Sequence, residues 1–337
     1  MKVDQLLAQY SELFMLLAAL TYTVAFIVYA LDLVRSRNMP SPVTEPARIP
    51  VSTVGHLPEA IQWTRGTDGA GSHPGSPSHE AMGYGGTRRP LARVAVAISI
   101  LGLVVHVAGV ISRGIAAGRV PWGNMYEFTT TGAMLVMAVF LAALLFRDLR
   151  FLGTFITGLV LIMLMAGAIV FATPVAQLIP ALQSYWLVIH VSVAVLSAAI
   201  FTVTFALSTL QLLKERRAKA STPGSPEGMR LVPTAANLEQ LAYRMNAIGF
   251  ILWTFTLMAG AIWAEAAWGR YWGWDTKEVW TFVIWVVYAG YLHARATRGW
   301  SGTRAAWLSI IGYLCVIFNF AVVNVYFSGL HSYSGLN

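Results

Sequence analysis

Long apolar stretches recur along this chain, and they constrain its fold more than any other feature. About 20 apolar residues in a helix are enough to cross a bilayer. Eight stretches reach that length: 11–34, 91–112, 128–146, 151–171, 187–213, 247–265, 276–293 and 304–327. Hydrophobic residues make up 57% of the chain and charged residues only 11%, which is too apolar for a water-soluble domain. We therefore predict an all-α, polytopic transmembrane helical bundle of about eight spans.

The distribution of Lys and Arg predicts the orientation of the bundle. Basic residues concentrate in every second connection: Arg35 to Arg89, Arg147 and Arg150, Lys214 to Arg244, and Arg295, Arg298 and Arg304. Cytoplasmic loops carry such an excess, so we expect both termini and the tryptophan-rich segment described below on the outer side. The net charge of +8 follows from this asymmetry and indicates no nucleic-acid partner.

Composition divides the chain into three predicted parts. Residues 1–34 are expected to be a transmembrane anchor that is retained rather than cleaved. Residues 35–90, rich in Pro, Gly, Ser and Thr, are expected to be a disordered cytoplasmic linker. Residues 91–337 form the transmembrane core, with an external loop at 263–280. A single cysteine, Cys315, excludes a Cys-x-x-Cys-His haem attachment site in this chain.

A tryptophan-dense segment between two apolar stretches is the strongest candidate for a binding site. It reads Trp-Gly-Arg-Tyr-Trp-Gly-Trp-Asp-Thr-Lys-Glu-Val-Trp and contains Trp268, Trp272, Trp274, Asp275 and Trp280. Flat aromatic faces beside charged groups suit a flat amphipathic ligand, with haem as the leading candidate. The alternative is an ordinary belt of interfacial aromatic residues.

Charged residues in the same segment have two interpretations. The spacing of Asp275 and Glu278 before an apolar run is typical of a helix capping box. Arg270 and Lys277 could pair with carboxylates of a ligand. Neither pattern indicates a general acid or base.

Four histidines lie outside the linker. His190 and His331 are expected at the membrane level of the tryptophan segment, where two imidazoles would supply both axial ligands of a haem iron; the alternative is two unrelated interfacial histidines. His293, near the cytoplasmic end of its stretch, marks a ligand or a relay unless it merely extends to the interface. For His106, the sequence does not decide between an interhelical hydrogen bond and a role in the ligand path.

The Trp-Gly-Arg-Tyr-Trp-Gly-Trp-Asp-Thr-Lys-Glu motif, flanked by two external histidines, resembles the signature of the WWD-type haem-handling proteins. Within that family the chain is similar to the CcsA (ResC) subunits of System II cytochrome c synthases. A second segment, Gly-Arg-Val-Pro-Trp-Gly-Asn-Met-Tyr-Glu, supports the resemblance. It implies that His190 and His331 are axial ligands and that Trp268, Trp272, Trp274 and Asp275 belong to the haem-binding loop. It also implies that His293 lies on the path of haem through the membrane, as a possible second haem site.

The resemblance further implies a function and a location. The protein would carry haem b across a bacterial cytoplasmic or thylakoid membrane and, with a CcsB (ResB) partner, act as a cytochrome c synthase (haem lyase) at the outer face. There it would present haem to the Cys-x-x-Cys-His motif of apocytochrome c. One alternative is a delivery protein that gives haem to a separate chaperone. A small-solute secondary transporter is less favoured, because we see no inverted repeats.

Overall fold

The computed structural model describes residues 4–37, 82, 84, 89–176, 182–220, 229, 231–327 and 329–331. The regular elements of these residues are all helical. They are α1 (Gln5–Arg37), α2 (Pro90–Ala117), α3 (Met125–Phe146), a short 3-10 helix (Arg150–Leu152), α4 (Gly153–Ile169), α5 (Tyr185–Ala220), α6 (Ala235–Trp268), α7 (Thr276–Arg298), α8 (Thr303–Ile317), a π-helix (Phe318–Val323) and α9 (Asn324–Tyr326). The predicted all-α class is confirmed.

Seven segments of the described chain are long and apolar enough to span a membrane, so the protein is an integral membrane protein. They are Gln5–Arg35, Pro90–Ala117, Met125–Phe146, Arg150–Ile169, Tyr185–Ala220, Ala235–Trp268 and Thr303–Tyr326. The remaining predicted span corresponds to α7, whose 23 residues have sufficient length at about 1.5 Å per residue. Its indole, phenol, imidazole and charged side chains make it less apolar than the others.

Helix α1, which contains the predicted anchor 1–34, packs within the bundle. It packs along α2 and α4, and its Tyr22 and Tyr29 are buried. A Cβ atom at Gly102 would lie 2.7 Å from the Tyr22 ring, so glycine permits the close approach of α1 and α2. Small residues serve the same purpose in many membrane helix pairs.

The predicted linker 35–90 lies mostly outside the described residues. Its first residues still belong to α1, which ends at Arg37. Near its other end, Met82 is buried and its carbonyl accepts a hydrogen bond from the Asp148 amide at 2.8 Å. The Tyr84 hydroxyl donates to the Leu144 carbonyl. These two described residues therefore dock on the connection between α3 and α4.

Polar contacts tie the chain together at both ends of the bundle. At one end, the Asp4 amide donates to the Ala116 carbonyl at 3.1 Å, joining the start of α1 to the end of α2. At the opposite end, Glu239 at the start of α6 pairs with Arg295 of α7 and accepts from the Gly302 amide at 2.9 Å. The alternation of the helices places the starts of α3, α5 and α7 at the first end, together with the end of α9. The candidate site lies there.

Candidate functional site

His190 and His331 are brought together at this end of the bundle, although they are far apart in the sequence. His190 extends from the second turn of α5, and His331 follows α9. Both rings contact the buried indole of Trp263 on α6. The His190 and Trp263 rings are stacked with centroids 5.9 Å apart, and the His331 ring meets Trp263 edge-on at 5.4 Å.

Hydrogen bonds orient both imidazoles in the same way. His190 Nδ1 lies 2.9 Å from the Thr256 carbonyl oxygen, and His331 Nδ1 lies 2.5 Å from Asp275 Oδ2. A carbonyl only accepts, so His190 Nδ1 carries the hydrogen and its Nε2 keeps a lone pair. The Asp275 carboxylate favours the same tautomer for His331. This is the outer-shell arrangement usual for metal-binding histidines.

Asp275 also caps the start of α7. It is the N-cap residue, and it forms the predicted capping box with Glu278, whose carboxylate accepts from the Asp275 amide at 3.0 Å. Hydrogen bonding to His331 holds the pKa of the Asp275 carboxyl below its usual value. The carboxylate therefore stays ionised at neutral pH and anchors the His331 ring.

A cleft opens beside the two histidines, enclosing about 710 Å³ when the part open to solvent is counted. Its walls come from the loop before α3 and from α3, α5, α6, α7, the π-helix and the segment after α9. The lining residues are Trp122, Phe128, Leu182, Leu187, His190, Val191, Ala194, Trp253, Thr256, Trp263, Lys277, Thr281, Asn319, Phe320, Asn324 and His331. The lining is predominantly apolar, with a few polar groups among aromatic rings, as in many ligand sites.

One wall of the cleft is a row of aromatic rings, which we call the aromatic wall: Trp122, Phe128 and Phe320. The Trp122 and Phe128 centroids are 6.1 Å apart, and those of Phe128 and Phe320 are 6.2 Å apart. Lys277 Nζ lies 4.7 Å from the Phe320 centroid. The wall is apolar, its neighbouring rings are inclined by 37° and 63° to one another, and the Lys277 amine lies at one end.

The π-helix places polar groups next to the Lys277 amine. π-helical turns break the regular hydrogen-bond ladder and are frequent at functional sites. Here the Asn319 carbonyl accepts from Lys277 Nζ at 2.9 Å, and Asn319 Nδ2 donates to Thr281 Oγ1 at 3.3 Å. Asn319 is only 1% exposed, and its Oδ1 has no hydrogen-bond partner among the described residues.

The tryptophans between residues 268 and 280 do not form one platform. Trp268 contacts His331, with centroids 4.9 Å apart, and Trp272 lines a smaller cleft that also includes both histidines. Trp274 is 74% exposed and has a positive φ of 59°. Trp280 packs on Phe318 at 4.2 Å instead of lining either cleft.

Three other predicted residues lie apart from the histidine pair. The Arg270 guanidinium folds over Gly273 in the same loop. His293 is exposed in the last turns of α7, at the opposite end of the bundle and about 25 Å along the helix from its start. His106 is fully buried between α1, α2 and α3, with Nδ1 3.4 Å from the Tyr22 hydroxyl.

Trp122 and Trp263 line the cleft but were not among the predicted site residues. Trp263 stands five residues before Trp268, where the predicted span 247–265 overlaps the first residues of the predicted loop 263–280. Trp122 belongs to the second segment that supports the family resemblance, and its sequence position gives no spatial link to the histidines. Neither residue carried a signal beyond being an aromatic residue near a span end.

A buried cluster of charges supports the loop that carries Trp122. Glu127 is 0% exposed and pairs with both Arg113 and Arg119, at 3.1 and 2.7 Å. Glu127 Oε2 also accepts from the Gly123 amide at 2.7 Å, while Arg113 Nη2 donates to the Thr173 carbonyl at 2.7 Å. The cluster thus joins α2, α3 and the segment after α4.

Comparison with known proteins matches the part of the chain that contains the cleft. Residues 122–331 match the family model described as cytochrome c assembly protein. The chain is 35% identical over 278 residues to the cytochrome c biogenesis protein CcsA of Guillardia theta, covering 76% of this chain and 86% of that protein. It is 34% identical to the Chlamydomonas reinhardtii protein of the same name, covering 73% of this chain and 69% of that one.

A solved structure shares the architecture. The cytochrome c haem lyase CcmF matches 95% of this chain with a TM-score of 0.60, at 13% identity. This chain spans about half of that protein's length, with 47% covered. At such low identity the match shows a common fold.

Proposed function

The chain belongs to the cytochrome c assembly protein family, on its CcsA branch, and has a role in cytochrome c maturation; from this premise we propose that it carries haem b across the membrane and presents it to apocytochrome c. A CcsB (ResB)-type membrane subunit would be its partner. The site would act at the outer face of a bacterial cytoplasmic or thylakoid membrane.

The arrangement of His190 and His331 is the observation that carries this proposal. Both line one cleft, and both have Nδ1 held by an oxygen acceptor. Two imidazoles that use Nδ1 for these hydrogen bonds can offer Nε2 to the two axial positions of a haem iron. Because the Trp263 ring contacts both histidines, we expect haem entry to shift this indole or the 329–331 segment.

The proposed reaction is addition of two cysteine thiols to the two vinyl groups of haem. In each addition a C–S bond forms at one vinyl carbon, and the thiol hydrogen passes to the other carbon, so no atom is lost. The contribution of this chain is positioning, since holding the vinyl carbons near the thiols makes the encounter effectively intramolecular. In this scheme the chain is a synthase subunit that is active with its partner.

The remaining predicted residues take supporting roles in the proposal. Trp268 packs beside His331 and would contact the macrocycle, and Lys277 at the end of the aromatic wall would pair with a haem carboxylate. Trp272, Trp274, Trp280 and Arg270 remain candidates through the family resemblance. His293 would serve a second haem position nearer the cytoplasm, where its exposed ring is open to the partner subunit.

Coexpression with a CcsB-type subunit and a reporter apocytochrome tests the proposal. We expect the purified complex to contain non-covalent haem b, identified as a pyridine haemochrome, and the reporter to acquire haem that survives denaturing electrophoresis. Bound haem without covalent transfer would favour the delivery alternative, in which a separate chaperone receives the haem. A complex that never contains haem would contradict the proposal.

A substitution at Gly260 tests whether haem binding depends on the position of His190. A Cβ atom at Gly260 would lie 2.7 Å from His190 Cε1 and 2.9 Å from its Nδ1, and overpacking of this kind costs roughly 1–3 kcal/mol. We expect Gly260→Ala to weaken haem binding by about tenfold, measured by titration of the Soret band. The matched control is Gly290→Ala on α7, where a Cβ meets no described atom within 4 Å. Equal affinities of the two variants would contradict the predicted role of His190.

A further inference from the structure

Trp122 has an unusual hydrogen-bonding state for a buried residue. Its side chain is 7% exposed and lines the cleft, and its Nε1–H has no hydrogen-bond acceptor among the described residues. A buried tryptophan usually finds a partner for this group, and leaving a buried donor unpaired costs about 1–3 kcal/mol. An unpaired donor at a cleft wall is a feature expected of a site whose ligand supplies the acceptor.

The loop that carries Trp122 is fixed, so the indole cannot readily turn to find another acceptor. Arg119 forms two hydrogen bonds with the Glu127 carboxylate, and the adjacent Gly123 amide donates to the same carboxylate. Asn124 caps α3 through the Glu127 amide at 2.9 Å. The ring itself packs among Leu182, Leu187, Val191, Val195 and Trp263.

The position of Trp122 in the aromatic wall indicates which acceptor would fit. Trp122 and Lys277 stand at the two ends of the wall, with Phe128 and Phe320 between them. An apolar aromatic surface with a hydrogen-bond donor at each end complements an apolar ligand that carries hydrogen-bond acceptors at its edge. Among acceptors, a carboxylate forms hydrogen bonds roughly twice as strong as those of a neutral group.

We propose that the Trp122 Nε1–H donates a hydrogen bond to a carboxylate of the porphyrin substrate, and that this contact selects porphyrins with free carboxylates over esterified ones. The inference rests on the proposed function and names the chemical feature of the substrate that the site recognises. Trp122 acts in it as a binding residue that also fixes the rotation of the macrocycle about the iron.

Titration of the purified complex with two porphyrins tests this inference. The probes are ferric haem and its dimethyl ester, and binding is followed in the Soret band for the wild type and for Trp122→Phe. Phenylalanine keeps an aromatic ring in the wall but removes the N–H donor. We expect Trp122→Phe to weaken haem binding by about tenfold, as for loss of a charge-assisted hydrogen bond, and to weaken ester binding much less, because an ester carbonyl accepts a weaker hydrogen bond than a carboxylate.

The control variant is Trp307→Phe, which changes an exposed tryptophan of α8 outside the cleft and should alter neither affinity. An equal loss for haem and ester in Trp122→Phe would show that the indole contributes only apolar contact, and unchanged binding of both would show no role; either result overturns the inference. If the wild type binds neither porphyrin, the proposed function fails as well. The wild-type titration therefore separates failure of the proposed function from failure of the Trp122 contact alone.

Discussion

His190→Ala and His331→Ala should each abolish the bis-imidazole haem spectrum of the complex and stop maturation of a reporter cytochrome. Each substitution removes one Nε2 lone pair from the cleft, and alanine offers no atom in its place. The hydrogen bonds that orient these rings, to the Thr256 carbonyl and to Asp275, both engage Nδ1, so we expect Nε2 to be the ligating atom of each ring. The measurements are the absorption spectrum of the reduced complex and the amount of covalent haem in the reporter.

Replacing His331 by another residue that can bind iron tests whether His331 is an iron ligand or has only a structural role. His331→Met supplies a thioether in place of the imidazole, and methionine ligation raises the reduction potential of haem. We therefore expect this variant to retain some haem, with an altered spectrum and a higher potential. Copurification of each variant with the partner subunit shows that the protein is intact. Normal c-type haem assembly in both alanine variants would refute the ligand assignment.

Glu127→Ala should be the most destabilising single change at the end of the bundle that holds the cleft. It would leave Arg113, which is 1% exposed, and Arg119 without the carboxylate that pairs with both. Breaking a buried ion pair by removing one partner costs about 3–5 kcal/mol. The same change frees the Trp122 loop, because the Gly123 amide loses its acceptor. We expect a much lower thermal midpoint in detergent and little haem bound.

The matched control for this prediction is Glu265→Ala. Glu265 is an exposed glutamate in the last turn of α6, at the same end of the bundle, so its removal tests the general effect of losing one negative charge. We expect wild-type stability for this control. If Glu127→Ala unfolds at the same temperature as Glu265→Ala, the Arg113–Glu127–Arg119 cluster does not stabilise the loop as we infer.

Residue spacing alone was sufficient to predict the cap at the start of α7. The Asp275–Glu278 capping box was predicted from spacing and is present, because a cap depends only on residues within one turn. The helix ends were predicted less well: α5 and α6 both extend beyond the apolar stretches 187–213 and 247–265. Hydropathy detects the part of a helix that lies in lipid, and a helix continues as long as its backbone hydrogen bonds do.

The last predicted span shows a second limit of prediction from sequence. Its apolar stretch predicts one uninterrupted span, whereas the chain forms α8, the π-helix Phe318–Val323 and α9. The π-helix is in contact with α7, where Lys277 donates to the Asn319 carbonyl and Thr281 accepts from the Asn319 side chain. Partners that are about 40 residues away in sequence leave no signal in the stretch itself.

The sequence by itself determined the membrane class, the approximate positions of the seven spans found in the described chain, the cap of α7 and the family. All of these follow from local composition, spacing or motif, and each can be recognised within a short window of residues. Only the tertiary structure decided that Trp263 lies against both histidines, that Trp122 and Lys277 end one aromatic wall, and that Trp274 and Trp280 stand outside the cleft. The physical reason is that lipid-facing and buried positions of a membrane helix are equally apolar, so the side chains that meet another helix are fixed by packing.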